Sequence, residues 1–160
     1  MGFHQTAIAA KGLAPEALWQ QLGFDGPATP ESEGVHDGVF SLASGEWTTV
    51  VADGAEHFLL LTPELACGLE AAVVVFFVNH EASMHTELAV LADGELVWRV
   101  QVHWEGTQDV ALQGNVPAEL REQLLELDEE ATYGFPQALL EHTAGVDLRE
   151  QREVVRLSSA

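Results

Sequence analysis

The chain reads as an α+β protein with a mainly antiparallel sheet and short helices, and three features point there. Two pairs of strand-like runs close on hairpin turns, at Ser44-Gly45 and at Asp93-Gly94. The run Val73–Val78 contains Val73, Val74, Val75, Phe76, Phe77 and Val78 with no polar alternation, as in a central strand covered on both faces. Helix starts marked by proline lie at Pro15, Pro63, Pro117 and Pro136, two of them after the last hairpin.

The elements follow in order. Phe3–Ala10 is strand-like. Ala14-Pro15-Glu16 opens a short helix whose apolar face is Leu18, Trp19 and Leu22 and whose stop is Gly23. Gly26–Gly38 is rich in Pro, Gly, Ser and Glu and reads as a mobile loop. Gly38–Ala43 and Glu46–Ala52 form the first hairpin, with Phe40 and Leu42 on one face beside Trp47 and Thr49. His57–Leu61 adds a strand, and Thr62-Pro63-Glu64 combines a cap, a first-turn proline and an early acid. Ala71–Asn79 is the central strand. Thr86–Ala92 and Glu95–Trp104 pair across Asp93-Gly94, in a register that sets His103 opposite Met84 and leaves His85 and His103 on opposite faces. In that register Ala89 and Leu91 share a face with Leu96, Trp98 and Val100. A helix from Pro117 carries Leu120, Leu124, Leu127 and Ala131 at near-helical spacing, and a second runs from Phe135-Pro136 to about Ala144.

All 160 residues fit one domain, divisible into two similar β-α-β-β halves with no sequence repeat. The end, from about residue 146, is either a strand at Val154–Leu157 or a flexible tail.

Charge is the strongest bulk signal. The chain has 26 acidic against 6 basic side chains, a formal charge of −20. No Lys or Arg occurs between Lys11 and Arg99, a stretch holding 14 acids. Six cations cannot track a phosphate backbone, so nucleic acid is excluded as a partner, and anionic membranes are disfavoured. A basic protein is the partner this charge suits. The single lysine, the single isoleucine and the 21 alanines also match the codon bias of a GC-rich genome, which accounts for missing lysines without accounting for missing arginines. No basic segment followed by an apolar one opens the chain, so it reads as cytoplasmic. Nothing in the sequence separates monomer from homodimer.

Catalytic signatures are few. There is no phosphate-binding glycine loop and no Gly-x-Ser-x-Gly nucleophile elbow, and the pattern implies no cofactor. Cys67 sits among apolar neighbours and reads as a small core residue. The metal-ligand candidates are His80, His85 and His103, without a compact ligand spacing to unite them. For partner binding the candidates are the paired acids Glu31 and Glu33, and Glu126, Glu129 and Glu130. Trp98 and Trp104 read as core residues. Arg99, the one Lys or Arg between Gly12 and Leu120, reads as the partner of a carboxylate such as Glu87 or Glu70.

The segments Val78–Met84 and Asp93–His103, with Gly134-Phe135-Pro136, resemble small acidic bacterial proteins of unknown function, some similar to immunity proteins of polymorphic toxin systems. The resemblance implies a non-enzymatic binder of a basic, nuclease-type toxin and carries no catalytic residues. Two other readings stay open. One is a small-molecule or metal-dependent enzyme with a pocket near His80, His85 and His103; the other is a housekeeping protein acidic through codon bias alone.

Overall fold

A computed structural model describes residues 4–27, 38–54, 60–145 and 155–159. Their order is β1 (His4–Lys11), α1 (Pro15–Leu22), β2 (Phe24–Pro27), β3 (Gly38–Ser44), β4 (Trp47–Asp53), α2 (Pro63–Cys67), β5 (Val73–His80), β6 (His85–Ala92), β7 (Glu95–Glu105), β8 (Thr107–Gly114), α3 (Ala118–Glu126), α4 (Glu129–Tyr133), α5 (Phe135–Ala144) and β9 (Val155–Ser159). The strands form one sheet in the order β2-β9-β3-β4-β1-β5-β6-β7-β8, with every paired neighbour antiparallel. The expected α+β class is the observed one.

Both faces of the central sheet are buried because β1, β4 and β5 are apolar at odd and even positions alike. On the first face Ile8, Val50, Val74 and Phe76 meet Leu18, Trp19 and Leu22 of α1 and Ala66 of α2. On the second, Ala7, Phe40, Val51, Val75 and Phe77 meet Phe135, Leu139 and Leu140 of α5, with Leu120 and Leu124 of α3 alongside. The central-strand reading of Val73–Val78 holds, and so does the shared face of Phe40, Leu42, Trp47 and Thr49. Thr62 caps α2, its Oγ1 accepting from the Leu65 N–H at 3.3 Å.

Several expectations change. The helix drawn through Leu120 and Ala131 is two helices, because Leu127 is extended and Asp128 starts a new one, its Oδ1 accepting from the Ala131 N–H at 2.8 Å. β8 is a full strand in a stretch to which the sequence assigns no element. It is exposed along almost its whole length, so no apolar alternation announces it. Cys67 is exposed at the end of α2 and is not a core residue. The last strand lies at Val155–Ser159 and pairs with both β2 and β3, so these residues are not a tail. The strand expected at His57–Leu61 and the loop at Gly26–Gly38 fall largely outside the described residues, and with the former goes the test of two matching halves.

The hairpin at Asp93-Gly94 forms as expected, with positive φ at both turn residues. Its register does not. Leu91 pairs with Leu96, but Val90 pairs with Trp98, so Val97 is a bulge. One extra residue turns over everything beyond it. Trp98 and Val100 join Val90 and Leu88 on the second face, and Arg99, Gln101 and His103 join Ala89, Glu87 and His85 on the first. The Val97 carbonyl accepts from the Asn115 N–H at 3.0 Å, tying the bulge to the end of β8.

Candidate functional site

Two constellations lie at the same end of the sheet, on opposite faces. The first is a row of imidazoles. Because the bulge shifts β7, His103 pairs with His85; His85 pairs with His80, and His80 with His4. Directly paired residues in an antiparallel sheet share a face, so four adjacent strands present four histidines on one rung. Asp109 of β8, paired with His103, continues the row. The ring centroids of His4 and His80 are 4.7 Å apart, and those of His85 and His103 are 5.9 Å apart. His80, His85 and His103 are therefore brought together, and His4 joins them. No local pattern marks His4, because its neighbours in the row come from strands about eighty and a hundred residues away.

Local contacts orient the row. His80 is followed by a 3-10 turn at Glu81–Ser83, and Met84 closes it with a left-handed backbone, φ 51°. The Ser83 hydroxyl donates to the His80 carbonyl at 3.2 Å and lies 2.7 Å from His80 Nδ1. Ser83 thereby holds the His80 ring by its Nδ1 edge. The next rung holds Glu87, whose side chain is buried. Gln101 Nε2 donates to Glu87 Oε1, and Arg99 Nε stands 3.9 Å from the same oxygen. Arg99 thus faces Glu87, one of the two partners expected for it, and its guanidinium also donates to Gln113 Oε1. His85 Nε2 is 3.9 Å from Glu87 Oε1, and His103 Nε2 is 3.6 Å from Glu105 Oε2. Burial holds the His85 imidazole below its ordinary pKa; Glu87 pulls it up, while His103, His80 and Arg99 push it down. Among the described residues, no three His, Cys, Asp or Glu side chains are gathered into a metal-binding group.

The second constellation is a mainly apolar pocket of about 300 Å³ lined by Met84, Trp104, Gln108, Glu129, Glu130 and Tyr133. Trp104 follows Trp98, Val100 and Val102 along the second face of β7, so it lines this pocket where the sequence reading placed it in the core. Gln108 Nε2 donates to the Glu129 carbonyl at 2.8 Å, fastening β8 to the start of α4. The Tyr133 hydroxyl donates to Asn79 Oδ1 at 3.1 Å and so ties α4 to β5. Burial raises the Tyr133 phenol above its ordinary pKa, and the Glu81 carboxylate adds to the rise.

Of the acids named as partner-binding candidates, Glu129 and Glu130 line this pocket. Glu126 is exposed at the end of α3 and is not among the lining residues. Glu31 and Glu33 lie outside the described residues. Met84, Trp104 and Tyr133 escaped sequence reading because the turn, strand and helix that carry them meet only in the fold. No helix among the described residues is long and apolar enough to cross a membrane. Comparison with protein families, with characterised proteins and with solved structures finds no match to this chain.

Proposed function

We propose that the protein is a non-enzymatic binding protein whose acidic surface engages a basic protein partner, and that a cationic side chain of the partner enters the pocket beside Trp104. One observation carries this reading: a pocket with aromatic walls, Trp104 and Tyr133, has Glu129 and Glu130 in its lining. An aromatic face attracts a cation and the methylene stem of Lys or Arg prefers an apolar wall, while carboxylates neutralise the head. The surrounding charge of −20 steers such a partner in and raises the association rate. A nuclease-type toxin, the partner implied by the resemblance to immunity proteins, has the required charge.

The test is titration of a short arginine-rich peptide into the protein and into Trp104→Ala. Binding is expected at low ionic strength and should weaken strongly near 1 M salt, where the Debye length is about 3 Å. Trp104→Ala should weaken it by about tenfold, from a cation–π contribution of roughly 1–2 kcal/mol. Absence of binding at low salt, or a Trp104→Ala variant that binds as well as the parent, would overturn the reading.

A further inference from the structure

We infer that the paired histidines His85 and His103 form a two-imidazole chelate for a late first-row divalent cation, of the Zn²⁺, Ni²⁺ and Cu²⁺ class. The argument starts from the rung. Two directly paired residues of an antiparallel ladder hold their Cβ atoms about 5 Å apart on the same face. Two imidazoles bound through nitrogen at about 2.1 Å to one tetrahedral ion have their ring centroids roughly 5 Å apart. The His85 and His103 centroids stand at 5.9 Å with an interplanar angle of 53°. Bringing one nitrogen of each ring onto a single ion requires the two side chains, which are 30% and 40% exposed, to turn toward each other.

The donor atoms are available. His85 Nε2 and His103 Nε2 lie 3.9 and 3.6 Å from the nearest carboxylate oxygens, beyond hydrogen-bond length. Glu87 and Glu105 therefore sit beside the pair without occupying its nitrogens; the charge of Glu105 favours a cation there, while that of Glu87 is shared with Arg99. His80 and Asp109 flank the pair on the same rung without being gathered with it into a larger ligand group. Because the donors stand in a line, the site is a pair completed by water and not a closed cage. Imidazole donors select late transition ions over Mg²⁺ and Ca²⁺, and the expected order of affinity places Cu²⁺ first.

This site is independent of the pocket, which opens on the other face. Untagged protein is dialysed against Cu²⁺, Zn²⁺ or Ca²⁺, and bound metal is counted per chain. One saturable Cu²⁺ or Zn²⁺ per chain is expected, with affinity falling tenfold or more in His85→Gln and in His103→Gln. His142→Gln, an exposed change on α5, should leave affinity unchanged. Circular dichroism confirms that each variant is folded. Binding that survives both His85→Gln and His103→Gln, Ca²⁺ displacing Cu²⁺ at equal concentration, or no saturable Cu²⁺ or Zn²⁺ at all would overturn the assignment.

Discussion

Gly12 and Gly114 share a left-handed backbone, φ +77° in each, yet their surroundings differ completely. A Cβ on Gly12 would meet nothing within 4 Å. On Gly114 it would overlap the Val97 carbonyl oxygen and stand 3.0 Å from Trp98 Cα. Alanine at either site carries the left-handed penalty of about 1–2 kcal/mol. At Gly114 it must also push β8 off β7 at the bulge, against the Asn115 N–H to Val97 carbonyl bond of 3.0 Å, for roughly another 1–3 kcal/mol. Gly12→Ala should thus destabilise by about 1–2 kcal/mol and Gly114→Ala by about 2–5 kcal/mol. Urea unfolding followed by tryptophan fluorescence, fitted with a common slope, measures both. The shared φ cancels the backbone term, so the difference reports the contact alone. Equal losses would refute the reasoning and show that the end of β8 is not pressed on the Val97 carbonyl. The contact matters beyond stability, because the same bulge sets His103 opposite His85.

Two further predictions concern the second face. Tyr133 is the only tyrosine, so the ultraviolet tyrosinate band titrates it alone; its midpoint should lie above the ordinary value of 10.0. Glu81→Gln should lower that midpoint but leave it above 10.0, since burial is the larger cause. As the folded-state pKa is the higher one, the stabilisation is complete below pH 10 and is lost as pH rises from there through the folded value. A midpoint at or below that of free tyrosine would show that the phenol is not desolvated. Leu140, fully buried between α5 and the sheet, should cost about 2–5 kcal/mol when replaced by alanine, read by the same urea assay. A loss under 1 kcal/mol would mean that α5 does not close the second core.

Short-range chemistry made much of the architecture legible. Asp93-Gly94 can take positive φ at both positions, and so it marks a hairpin. Val73–Val78 is apolar at every position, which suits a strand with covered faces. Thr62-Pro63-Glu64 places cap, proline and acid where a helix start needs them. The misread register has a long-range cause. Val97 carries no local sign that it is the extra residue in β7, because its carbonyl is taken up by the Asn115 N–H just beyond β8, beside Gly114. A reading without it places His103 on the wrong face and separates it from His85.

The candidate site shows the same division. That the chain would be acidic, rich in histidine near the central strands and poor in cations was determined by composition alone. Local propensity and turn chemistry determined most of its strands and helices, since those depend on neighbours a few residues away. Only the tertiary structure decided that His4, His80, His85 and His103 stand on one rung, and that Trp104, Tyr133, Glu129 and Glu130 enclose one pocket. The physical reason is that side-chain facing has a period of two along a strand. One bulged residue or one long-range pairing reverses it, and neither is written in the residues that it moves.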